Sequence, residues 1–112
     1  MISSAGYRRR GFSGIIAIMG LKFEWHENKA SANFRKHRVA FEEAKTVFGD
    51  PLALVVPDVE HSEQEDRWVR LGISARGRLL VVVYTERDDA LRLISSRRAT
   101  IGEKADYEQA NQ

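Results

Sequence analysis

The chain has 112 residues, 43% hydrophobic and 30% charged, with a net charge of +2; that length supports one domain with its own core and leaves no room for two. The balance of apolar and charged residues excludes an intrinsically disordered chain. With no cysteine, a disulfide framework, a thiolate nucleophile and a cysteine-ligated metal are all excluded, which suits a reducing cytoplasm.

Residues 1–18 (MISSAGYRRRGFSGIIAI) differ in composition from everything that follows. Their apolar run is too short to span a membrane and no small-x-small cleavage site precedes Lys22. They are expected to form a disordered N-terminal extension. Residues 19–112 are then a single cytoplasmic domain with no membrane contact.

Leu21 to Trp25 alternates and predicts the first strand. A helix capped by Asn28 is expected to run to about His37, and a second from about Phe41 to Phe48, stopped by Gly49 and Asp50-Pro51. Leu52 to Val56 predicts the second strand, residues 57–65 an acidic loop, and Arg67 to Ser74 the third strand, with Gly77 in the turn that follows. Leu79 to Thr85 is an apolar, β-branched run suited to a central strand. After the turn at Arg87-Asp88-Asp89, Leu91 to Ser96 alternates: Leu91, Leu93 and Ser95 are expected on one face, and Arg92, Ile94, Ser96 and Arg98 on the other. Thr100-x-x-Glu103 is a capping box that opens a final helix to about Ala110. The fold class is α+β, in the order β-α-α-β-β-β-β-α, with a twisted antiparallel sheet packed by two N-terminal helices.

The small net charge hides a segregation. Residues 41–66 hold one Lys against eight acids, whereas residues 67–101 hold eight cations against three acids, and all eight are arginine. Guanidinium meets phosphate with a bidentate fork, so this bias leans towards phosphate or RNA. No nucleophile triad, phosphate-binding glycine loop or metal-ligand spacing of His26, His37 and His61 is present. The remaining constellation is Glu65, Arg67, Arg92, Arg97, Arg98 and Tyr107. Cutting RNA without a metal or other cofactor requires a base for the 2′-hydroxyl, an acid for the leaving 5′-oxygen and cations for the phosphorane. Arginines fit the last role and Glu65, His61 or Tyr107 the proton transfers, while Trp68 could stack on an unpaired base. The bland alternative is an ion-paired sheet surface and a core tryptophan. Residue types alone do not make this an enzyme.

Several separated motifs carry a resemblance. FEWHENKA, NFRKHRVAFEEAKTVFGDP, HSEQEDRW, GRLLVVVYTER, LRLISSRRAT and a final Glu103…Tyr107 resemble the BrnT toxins of type II toxin–antitoxin systems, from about Leu21 to Tyr107. The resemblance implies a RelE-like ribonuclease fold and a small toxin that inhibits translation by cutting RNA. It places Glu65 and Arg67 at the family's Glu-x-Arg, Arg92 and Arg97 in its Arg-x-Ile-Ser-x-Arg signature, and Tyr107 at the tyrosine of the terminal helix. Arg98 and Arg87 join Trp68 as candidate RNA contacts. The implied partner is a BrnA-type ribbon-helix-helix antitoxin in a hetero-tetramer, with operator DNA contacted only through the antitoxin. A nuclease-dead module that only co-regulates transcription is the alternative. The sequence departs from the family at Asp88-Asp89, where the turn usually holds glycine, and at Gln64, where glycine often precedes Glu-x-Arg.

Overall fold

The computed structural model describes residues 20–61 and 66–112 together with the backbone of Arg8 and Arg9. Apart from those two positions the expected extension, residues 1–18, lies outside the described residues, as does Glu65; of His61 only the backbone is described. Strands β1 (Arg8–Arg9), β2 (Lys22–Glu24), β3 (Leu54–Pro57), β4 (Arg67–Ile73), β5 (Leu79–Arg87) and β6 (Ala90–Arg98) form one sheet in the order β1-β3-β4-β5-β6-β2. Helices α1 (Glu27–His37) and α2 (Phe41–Ala44, tightening to a 3-10 turn over Lys45–Gly49) lie between β2 and β3, and α3 (Ile101–Ala110) follows β6.

Strands β3 to β6 form an antiparallel meander, but the sheet is not antiparallel throughout. Strand β2 pairs parallel with β6, Phe23 opposite Leu91 and Glu24 opposite Arg92. The cause is topological. Two helices carry the chain from β2 back across the sheet to start β3 on the far side of the meander, which leaves β2 on the β6 edge running the same way. Several boundaries also move, two of them for causes visible in the hydrogen bonds. Helix α1 starts at Glu27 because His26, not Asn28, is the cap, its Nδ1 accepting from the Asn28 N–H at 3.3 Å. Strand β3 starts at Leu54, since Asp50 holds the preceding backbone, its Oδ1 accepting from Leu52 N at 2.9 Å and its carbonyl from Ala53 N at 3.2 Å.

Alternation along β5 separates two cores. Leu80, Val82 and Tyr84 meet Phe41, Phe48 and Leu93 beneath α1 and α2, with Phe48 edge-on to Tyr84 at 4.8 Å. On the opposite face Val81, Leu71 and Leu54 are covered by α3 through Tyr107 and Ala110. Strand β4 passes so close to the 3-10 turn that a Cβ on Gly72 would meet Val47 Cγ1 at 2.9 Å and Asp50 Oδ2 at 3.1 Å, so only glycine fits there.

A buried ion pair fastens α2 to the β4–β5 turn. Glu43, 7% exposed, accepts from Arg78 Nε at 2.9 Å and from Ser74 Oγ at 2.7 Å, and Arg78 Nη2 donates to its second oxygen. The Arg78 hydrogen bonds hold the Glu43 carboxyl below its ordinary value of 4.5 against the opposing effect of burial. Glu103 is lowered in the same sense, by Arg97 first and against burial, then by the Thr100 backbone N–H. A carboxyl whose folded value is depressed contributes stability that is present above its unfolded value and lost as pH falls through the folded one. Melting temperature is therefore expected to hold above about pH 5 and to fall steeply once the pH drops below 4.5. Glu43→Gln should lower stability at neutral pH by about 3 kcal/mol, and with it the melting plateau, and flatten the acid limb. Thermal melts between pH 3 and pH 8 read both.

Candidate functional site

The alternation expected for the last strand breaks at one point, and that point builds the site. Strands β5 and β6 shift register between Val83 and Tyr84: Val83 stands opposite Ser95 but Tyr84 opposite Leu93, so Ile94 is an extra residue. A bulge of this kind reverses the faces taken by the residues beyond it. Ser95 and Arg97 therefore join Arg92 on the α3 side of the sheet, while Ser96 and Arg98 pass to the side of Leu93. Asn33 of α1 fixes that arrangement, its amide bonding the Ser96 carbonyl at 2.8 Å and the Ser96 N–H at 3.0 Å.

The registers then line up four side chains across four strands: Arg67 on β4, Thr85 on β5, Arg92 on β6 and Glu24 on β2. Arg67 and Arg92 are roughly 10 Å apart at the backbone, two strand spacings. Buried Thr85 forms a short floor between them. Half-buried Val69, Val83 and Ser95 form the neighbouring row. Helix α3 packs over the opposite end of this face, at Leu71, Leu79 and Leu54. Glu24 takes both Arg92 Nε, at 2.8 Å, and Arg92 Nη2, at 2.7 Å, on its Oε2.

The loop between β3 and β4 leaves and rejoins the sheet beside this row. Asp58 N donates to the Arg67 carbonyl at 2.8 Å, and Thr85 Oγ1 donates to the Asp66 carbonyl at 2.6 Å. The His61 backbone, in the short 3-10 turn Val59–His61, belongs to that loop. So does Glu65 by sequence, one residue before the carbonyl that Thr85 holds.

Other candidates lie elsewhere. Arg97 is on the same face but roughly 13 Å along the strand direction from the Arg92 row. Its guanidinium is committed to α3, Nη1 to Glu103 Oε1 at 2.8 Å and Nη2 to Oε2 at 2.9 Å. Tyr107 donates to Asp50 Oδ2 at 2.6 Å, and the same oxygen accepts from Ile73 N at 2.8 Å at the far end of β4. Those two residues fasten the terminal helix. Trp68, one position from Arg67, takes the opposite face by alternation and packs, half-buried, against the helix-covered core. Arg98 is exposed on that opposite face as well. Arg87 is exposed at the end of β5, opposite Ala90 and one row outside Thr85.

Glu24 and Thr85 are the members of the row that the sequence did not single out. Thr85 reads there as one more β-branched strand residue, and Glu24 joins the row only through the parallel pairing of β2. Among the described residues, no group of three or more His, Asp or Glu side chains could hold a metal ion, and no helix is long and apolar enough to cross a membrane.

Residues 25–103 match the model of a family described as the ribonuclease toxin, BrnT, of type II toxin–antitoxin systems. The 1.1 Å crystal structure of the Brucella abortus ribonuclease toxin, BrnT, is 24% identical and has the same fold, with a TM-score of 0.57 over 71% of this chain and 97% of that one. No curated protein matches.

Proposed function

The chain belongs to the BrnT family of ribonuclease toxins of type II toxin–antitoxin systems, and on that premise we propose that it is a metal-independent endoribonuclease that arrests translation in the cytoplasm. The observation that carries this reading is the row Arg67–Thr85–Arg92, which sets two arginines two strands apart on one sheet face. Two guanidinium groups flanking a scissile phosphate stabilise the charge that develops on its oxygens as the 2′-oxygen attacks. Set on paired strands, they need little reorganisation at the moment of reaction. For the proton transfers, His61 and Glu65 are the candidates that lie within six residues of Arg67 in the sequence. Arg87 and the half-buried valines of the next row are the nearest further contacts for the RNA chain. Arg97 and Tyr107, held by Glu103 and Asp50, act in this reading by keeping α3 in place.

A toxin of this class has an antitoxin partner. In our reading it is a BrnA-type ribbon-helix-helix protein whose acidic segment covers the arginine row and competes with RNA phosphate. Ribbon-helix-helix proteins are dimers, so two toxins on one antitoxin dimer give a hetero-tetramer with two-fold symmetry, which reaches operator DNA through the antitoxin. Induced expression in a bacterial host tests the function. Growth arrest with RNA decay, relieved by co-expression of the neighbouring antitoxin gene, supports it. Harmless expression of folded protein that binds operator DNA with its partner would leave only a co-regulatory module.

Thr85 supplies a finer check. Thr85→Val keeps the volume but removes the donor to Asp66, which should lower stability by about 1 kcal/mol and cut RNA cleavage several-fold by loosening the loop beside Arg67. Melting curves and cleavage rates on the same preparation separate the two effects.

A further inference from the structure

Glu24 has a place in the site that its surface exposure conceals. Its carboxylate is 40% exposed and its partner Arg92 is 36% exposed, on the open face of the sheet. Both contacts from Arg92 end on one oxygen, Oε2. Among the described residues no hydrogen bond holds Oε1. The carboxylate is thus held through one oxygen, and the other is an acceptor with no hydrogen-bond partner among the described residues. Arg92 donates to Glu24 along its Nε–Nη2 edge, which leaves Nη1 available for a phosphate oxygen. A phosphate seated between Arg67 and Arg92 would carry its ribose within reach of Glu24 Oε1. A purely structural surface pair is worth under about 1 kcal/mol, and nothing else in the packing requires a carboxylate here.

We propose that Glu24 is the general base of the reaction, taking the 2′-hydroxyl proton while Arg92 holds both the carboxylate and the scissile phosphate. This rests on the endoribonuclease reading above. The 2′-O–H bond breaks as its proton passes to Glu24 Oε1. The 2′-oxygen bonds to phosphorus, the phosphorus–O5′ bond breaks, and the 5′-oxygen takes a proton from a general acid, for which the sequence offers His61 and Glu65. The products are a 2′,3′-cyclic phosphate and a 5′-hydroxyl, and Glu24 returns its proton to water. Glu24 reaches the row through a strand pairing. Parallel β2 brings a carboxylate from the first strand beside an arginine of the last, 68 residues later.

The test is Glu24→Gln in the full chain, assayed on a defined RNA oligonucleotide and on the same oligonucleotide with a bridging 5′-sulfur at the cleavage site. The amide oxygen can still accept from Arg92, so folding and RNA affinity should remain within about twofold of wild type. Cleavage should fall by two to four orders of magnitude, roughly the worth of a general base. A sulfur leaving group needs no acid, so it would restore a variant lacking the acid but not one lacking the base. A loss that persists with the sulfur substrate supports the proposal. Full activity of Glu24→Gln, rescue by the sulfur substrate, or a loss of RNA affinity that accounts for the lost rate would each overturn it, the last making Glu24 a positioning residue for Arg92. If the variant melts early, Glu24→Asp provides the second measurement: a base set back by one methylene keeps partial activity, and equal inactivity of Asp and Gln counts against the role. Wild-type protein that leaves both substrates intact would instead defeat the endoribonuclease reading itself.

Discussion

Arg92→Ala is expected to abolish toxicity and to slow RNA cleavage by a hundredfold or more while the protein remains folded. The size follows from the role of the side chain, since removing one preorganised donor to transition-state charge costs roughly 3–4 kcal/mol of barrier. The sparing of the fold follows from position. Arg92 stands on an open row, and its partner Glu24 is itself 40% exposed, so the pair adds less than about 1 kcal/mol to stability. Arg92→Lys should recover little, because an ammonium cannot hold the Glu24 carboxylate and a phosphate with one planar fork. Cleavage rates set beside melting temperatures make the comparison. A melting temperature that drops together with the rate would mean that Arg92 works mainly as a structural cation.

Arg97→Ala should show the reverse pattern. Its two bonds to Glu103, at 2.8 and 2.9 Å, neutralise a carboxylate that is only 2% exposed. Truncation leaves that charge buried, with the Thr100 N–H still donating to it at 2.9 Å. Breaking a buried pair from one side costs several kcal/mol; with the arginine itself 40% exposed, part of the pairing is already screened by water, and about 2–3 kcal/mol is expected. In a domain of this size that lowers the melting temperature by roughly 10 °C or more. Activity below the melting transition should be reduced far less than in Arg92→Ala. The double variant Arg97→Ala/Glu103→Gln, which removes the stranded charge as well as the arginine, should regain part of the lost stability in a thermal melt.

These two arginines show how far the sequence could be read. Both sit in one signature, five residues apart, and strict alternation would send them to opposite faces. The bulge at Ile94 puts them on the same face, and nothing in the run Leu91 to Ser96 announces an extra residue. Strands, helices and the capping box were legible because each is written in local periodicity or cap chemistry; the Thr100–Glu103 box is present in both of its hydrogen bonds. What no local pattern encodes is which strand lies beside which. The parallel pairing of Lys22–Glu24 with the last strand depends on the crossover through two helices, so Glu24 stayed invisible as a site residue. The same limit applied to Trp68. It stands next to Arg67 in sequence, but alternation turns it to the other face, half-buried against the core beneath α1 and α2. Tyr107 was picked out by its motif, while its hydrogen bond to Asp50, 57 residues away, is a tertiary fact.

The central question is whether the Arg67–Arg92 row cuts RNA with protein side chains alone. Purified protein, freed of its antitoxin and dialysed against chelator, should be incubated with an RNA of known sequence and the new ends mapped chemically. The expected result is internal cleavage that leaves 2′,3′-cyclic phosphate and 5′-hydroxyl ends, persists in chelator and disappears in Arg92→Ala. Ends carrying a 5′-phosphate, cleavage that returns only with added divalent metal, or full activity of Arg92→Ala would contradict it.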